Sequence, residues 1–152
     1  MRTFDELRQY LAAALRRIEL QAVHLRRSVA KVEAGGLTDA LERLDQLETL
    51  TARFARLQHL LIGPFRTVAI LELEDQLADR VPDLLNLIEK RGIIESAGDW
   101  EEMRELRNAI AHEYWDKEQE RDELFGRVVV YSRALLRVLE RLGAYVRDHR
   151  LL

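Results

Sequence analysis

Apolar positions recur at helical spacing along almost the whole chain. Phe4, Leu7, Leu11, Ala14, Leu15, Ile18, Leu25, Val29 and Val32 stand mostly three, four or seven residues apart, which places them on one face of a helix. The pattern predicts a helix from about Thr3 to Ala34, ended by Gly35-Gly36. Asp39 with Glu42 reads as a capping pair for a second helix carrying Leu41, Leu44, Leu47, Leu50, Phe54, Leu57, Leu60 and Leu61. Gly63-Pro64 predicts a break or kink, since proline suits a first helical turn better than a helix interior. A third stretch, Phe65 to about Arg80, holds Val68, Leu71, Leu73 and Leu77. Pro82 opens a short helix over Asp83–Arg91 that ends at Gly92, and a loop follows from Ile93 to Gly98. Asp99, with Glu102 three residues on, is expected to open the next helix. The last helix spans roughly Glu118 to Asp148, with Leu124, Val128, Tyr131, Leu135, Val138, Leu139, Leu142 and Val146 facing inward. Val128-Val129-Val130 is β-branched but too short to overturn that periodicity. The expectation is one all-α domain over residues 1–152, an up-and-down four-helix bundle with one extra short helix.

Composition agrees. The chain is 47% hydrophobic and 34% charged, with seven Gly and two Pro, so turn residues are scarce. Net charge is −3 and the sequence pI about 5.9, which argues against indiscriminate coating of nucleic acid but leaves room for a local basic site. With no cysteine, disulfides, thiol catalysis and cysteine-ligated zinc are excluded. No apolar run approaches the roughly 20 residues of a membrane span, and the charged start MRTFDELRQYL has no apolar centre like that of a signal peptide. A soluble cytoplasmic protein is expected.

Most chemical signatures are missing. The glycines are scattered, with no phosphate-cradling loop. Gln21, Arg56, Ala109 and Val146 stand three residues before the four histidines, so there is no Glu-x-x-His pair for a di-metal bundle. No metal and no cofactor is expected. Glu72, Glu74 and Asp75 read as a solvated acidic face, with magnesium the weaker alternative. Arg16, Arg17, Arg26, Arg27 and Lys31 read as surface charge, with a rim that attracts phosphates the weaker alternative. His24 and His59 suit packing or surface, and His149 a frayed tail.

One stretch stands apart, RELRNAIAHEYW from Arg104 to Trp115. At about 100° per residue, with Arg107 at zero, Leu106, Ile110, Met103 and Ala109 fall on one apolar arc. Arg107, Ala111, Arg104, Trp115, Asn108 and His112 fall on the opposite arc, with Tyr114 almost above Arg107. His112 thus points away from the apolar stripe and shares its arc with two arginines and an asparagine. Such a face suits contact with a ligand or a second subunit. Arg107 and His112 lie about 140° apart, and a two-fold dimer could bring both copies of each into one cleft. Histidine can move a proton near neutral pH, and arginine can grip a phosphate bidentately. An RNA 2′-hydroxyl is then a built-in nucleophile.

At these residues the chain resembles the HEPN superfamily, in particular the HepT-like toxins paired with minimal nucleotidyltransferases. The resemblance rests on Arg107-Asn108-Ala109-Ile110-Ala111-His112-Glu113-Tyr114, on the approach WEEMRELRN from Trp100, and on the helical framework. It implies a homodimer with the motif in the inter-subunit cleft and metal-independent RNA cleavage. His112 would be general acid and base, Arg107 the phosphate and transition-state binder, and Asn108 an orienting residue, with Arg104 beside them. Tyr114 would line the site and take AMP from the partner antitoxin, whose added negative charge would silence the cleft. The acidic net charge favours a narrow RNA substrate such as tRNA. A non-catalytic helical subunit presenting substrate to a minimal nucleotidyltransferase is the alternative reading.

Overall fold

A computed structural model of the chain describes residues 2–36, 39–112 and 118–152, except for the side chains of Ala111, His112, Glu118, Gln119 and Arg121. Among the described residues all regular structure is helical: α1 (Phe4–Ala34), α2 (Ala40–Leu71), α3 (Asp75–Ala78), α4 (Val81–Lys90), α5 (Ala97–His112) and α6 (Glu118–Asp148). The all-α bundle is therefore as expected, with four longer helices and two short ones rather than one.

Local chemistry sets the helix ends. Thr3 and Glu6 form a reciprocal cap on α1: Thr3 Oγ1 accepts from the Glu6 N–H at 3.2 Å, and the Glu6 carboxylate accepts from the Thr3 N–H at 2.8 Å. Asp39 caps α2 by accepting from the Leu41 N–H at 2.9 Å. For α5 the expected cap is displaced. Ser96, not Asp99, accepts at the helix start, taking the Asp99 N–H at 3.1 Å. Glu102 instead receives the Tyr131 hydroxyl from α6 at 2.8 Å.

Three helices end the same way. At the ends of α2, α4 and α6, a left-handed residue (Leu73, Gly92, Arg150) is followed by an N–H that reaches five residues back, from Glu74 to Ala69, Ile93 to Ile88 and Leu151 to Val146. Only Gly92 is the residue type that favours this conformation. Leu73 (φ 64°) and Arg150 (φ 52°) adopt it at a cost. That explains two departures from expectation. The helical stretch beginning at Phe65 stops at Leu71 instead of Arg80, and its remainder becomes α3. The segment after α6 is not frayed, because Leu151 folds back and packs on the core.

Gly63-Pro64 does not break α2, which runs through both residues. Pro64 is buried, and the Thr67 hydroxyl donates to the Gly63 carbonyl at 3.0 Å. The glycine serves packing instead: a Cβ there would collide with the Tyr10 hydroxyl from α1.

The long helices run up, down, up, down. Arg53 of α2 bonds Ser28 of α1, whereas Arg43 pairs with Asp122 and Glu72 with Tyr145, so α2 runs against α1 and alongside α6. The Glu102–Tyr131 bond sets α5 against α6. Phe54, Phe65, Leu11, Leu25, Leu50, Leu57 and Leu61 form the fully buried centre. Trp100 of α5 packs on Phe65 of α2, ring centroids 5.3 Å apart and planes at 59°. Buried Gln58 of α2 donates to the Trp100 carbonyl at 3.1 Å. These contacts fix the roll of α5 about its axis.

Candidate functional site

With that roll fixed, Trp100, Met103, Leu106 and Ile110 are buried and Ala109 is half-buried. The apolar arc read from the sequence is the arc that packs. Across the helix, Arg104 and Asn108 are exposed and Arg107 is half-buried. Arg104 lies 3.9 Å from Glu101 one turn back, with 55% of its side chain in solvent, and so loose an exposed pair contributes little. The Arg107 guanidinium has no hydrogen-bond or ion-pair partner among the described residues. A half-covered guanidinium without a carboxylate keeps its full donor set for an incoming anion.

The structure therefore brings Arg104, Arg107 and Asn108 onto one accessible face. His112 closes α5 by its backbone, and its side chain is not among those described. Tyr114 and Trp115 also fall outside the described residues. In the up-and-down order, α5 ends where α1 ends and α2 and α6 begin. His112 thus stands at that end of the bundle.

Of the acidic cluster, Asp75 is exposed as read, but Glu72 and Glu74 depart from a solvated face. Glu72 is largely covered, accepts the Tyr145 hydroxyl at 2.5 Å, and pairs with Arg91 Nε at 3.1 Å. Glu74 lies 3.8 Å from the same guanidinium. Burial pushes the Tyr145 hydroxyl up to about 12, aided by the bond to Glu72 and its charge, with Arg91 opposing. The hydrogen bond to Glu72 likewise raises Arg91. His149 stacks on Tyr145 with centroids 3.9 Å apart. This network ties the ends of α2, α4 and α6 together. No local sequence signal could have revealed it, because its members lie 19 and 73 residues apart.

No group of three or more His, Asp or Glu among the described residues could hold a metal ion, and none of the described helices is long and apolar enough to cross a membrane. Comparison with known families, with curated proteins and with solved structures finds no match to the chain.

Proposed function

We propose that the chain is a metal-independent endoribonuclease of the HEPN type, the toxin of a toxin–antitoxin pair, acting as a homodimer. The observation that carries this reading is Arg107, which has no hydrogen-bond or ion-pair partner among the described residues, beside Asn108 on the accessible side of α5 and five residues before His112. In the two-fold cleft, Arg107 grips the scissile phosphate and stabilises the charge that builds at phosphorus. His112 takes the proton of the ribose 2′-hydroxyl as that oxygen attacks phosphorus. The P–O5′ bond breaks, O5′ takes a proton from a protonated His112 imidazole in the same cleft, and a 2′,3′-cyclic phosphate and a 5′-hydroxyl result. Asn108 orients the site and Arg104 adds positive charge at its edge. AMP transfer from ATP onto the Tyr114 hydroxyl by a minimal nucleotidyltransferase antitoxin, with pyrophosphate leaving, adds a bulky anion to the motif and silences it.

The test is cleavage of a fluorescent RNA panel that includes tRNA, with dimerisation followed by light scattering. Wild-type protein is expected to cleave, and His112→Ala and Arg107→Ala to lose at least about 100-fold while staying dimeric. Undiminished cleavage by His112→Ala would overturn the reading. A wild-type protein that binds a nucleotidyltransferase but cleaves nothing would leave the non-catalytic alternative.

A further inference from the structure

A second cationic feature lies away from α5, where the last turns of α1 meet the first half of α2. There Ser28, Lys31, Asp45, Gln46, Thr49 and Arg53 line a surface hollow of about 130 Å³. Arg53 is part-buried and held still: one guanidinium nitrogen donates to the His24 carbonyl at 3.0 Å and to Ser28 Oγ at 2.6 Å. No carboxylate among the described residues pairs with it, so its other N–H groups remain for a ligand. Lys31 is exposed on the rim, and Asp45 is the one carboxylate of the lining. A staple between α1 and α2 needs only the two bonds made. The remaining donors and Lys31 make the hollow a place for a phosphate oxygen.

A larger hollow of about 250 Å³ shares Lys31 and Gln46 with the first, and is edged by Arg43, Phe125 and Gly35-Gly36. It offers the half-buried Phe125 ring beside Lys31, while Arg43 is paired with Asp122; an aromatic ring next to a cation is the combination that holds single strands by stacking bases and tracking phosphates. Both hollows lie toward the end of the bundle at which α5 terminates in His112. We infer that this groove binds the backbone of single-stranded RNA beyond the cleavage site, Arg53 and Lys31 holding a phosphate and Phe125 stacking on a base. The inference goes beyond the ribonuclease reading and rests on it for the choice of RNA.

The experiment measures binding of a fluorescent single-stranded RNA of about 12 nucleotides, 2′-O-methylated so that it cannot be cleaved, by anisotropy across a salt series. Lys31→Ala and Arg53→Ala are each expected to raise Kd about 5- to 20-fold and to lower the salt slope by about one. Phe125→Ala should weaken binding by a similar factor without changing that slope. Asp45→Asn should tighten it about 2- to 5-fold. Lys31 and Asp45 take no part in the Arg53 staple, so their variants stay informative even if Arg53→Ala unfolds. Unchanged Kd in both Lys31→Ala and Asp45→Asn would overturn the inference. So would competition by free AMP as effective, phosphate for phosphate, as by the strand. Because the probe cannot be cut, failure of the groove is read separately from failure of the His112 chemistry.

Discussion

The Tyr145 hydroxyl donates a 2.5 Å hydrogen bond to the Glu72 carboxylate, joining the last turns of α6 to the end of α2. Arg91 of the α4 end completes the contact by pairing with the other carboxylate oxygen. Tyr145→Phe keeps the ring and its stacking on His149 and loses only this bond. The expected loss of stability at pH 7 is about 1 kcal/mol, read by urea denaturation.

That bond also has a pH signature. An unfolded tyrosine ionises near 10, while Tyr145 in the fold is pushed up to about 12. Between those values the folded protein holds a proton that the unfolded chain has released. The stability this contributes is complete below about pH 10 and is lost as the pH rises through about 12. Tyr131, raised chiefly by its bond to Glu102, adds a loss of the same sign. Denaturation midpoints of wild type should therefore fall between about pH 10 and about pH 12, and those of Tyr145→Phe should fall less. Parallel curves for the two proteins would refute the assignment.

Leu73 occupies a left-handed conformation with 70% of its surface in solvent. Its side chain contributes little packing there, and its backbone bears strain that glycine would not. Leu73→Gly should stabilise the protein by about 0.5–1 kcal/mol, visible as a raised thermal midpoint. A destabilised variant would mean that Leu73 packs on something in solution.

Gly63 and Tyr10 should be energetically coupled. Alanine at a helix interior gains about 0.5–1 kcal/mol over glycine, but at Gly63 its methyl would meet the Tyr10 hydroxyl. Gly63→Ala should therefore be less favourable in the wild-type background than in Tyr10→Phe, which removes the colliding oxygen. A double-mutant cycle measures the difference, and simple additivity would rule out the contact.

Gln58 is 2% exposed, and its carbonyl oxygen has no partner among the described residues. Its amide donates to the Trp100 carbonyl, which within α5 can also accept from the helical ladder. Gln58→Met, similar in size, should change stability by less than about 1 kcal/mol because the unsatisfied oxygen leaves with the amide. Gln58→Ala should cost about 2 kcal/mol or more through the cavity it opens. Chemical denaturation of the two variants separates a packing role from an essential polar one.

For the proposed site, Arg107→Lys tests geometry rather than charge. A lysine keeps the charge but not the two-pronged grip on phosphate. RNA cleavage should fall about 10- to 100-fold with binding much less affected. Retention of full activity by the lysine variant would mean that only a point charge is needed at position 107.

Much of the bundle is legible from residue order. Helical periodicity, Gly35-Gly36, Pro82 and Gly92 mark α1, α4 and α6 to within a residue or two, and the three-to-four spacing of Met103, Leu106 and Ile110 foretells which side of α5 packs. These features are local: they depend on backbone sterics and on neighbours three or four positions away. For the same reason the arc of Arg104, Arg107 and Asn108 reads as a surface from residue order alone. Packing decided the rest. Gly63-Pro64 looks like a stop, yet α2 continues because the surrounding core buries Pro64 and Tyr10 fills the space that a side chain would take. Leu73 ends a helix without a glycine, and Glu72, which reads as solvent-facing, becomes the partner of Arg91 and Tyr145. Periodicity specifies which faces are apolar, but which charges lose their water depends on contacts between residues far apart in the chain, and those exist only once the helices have come together.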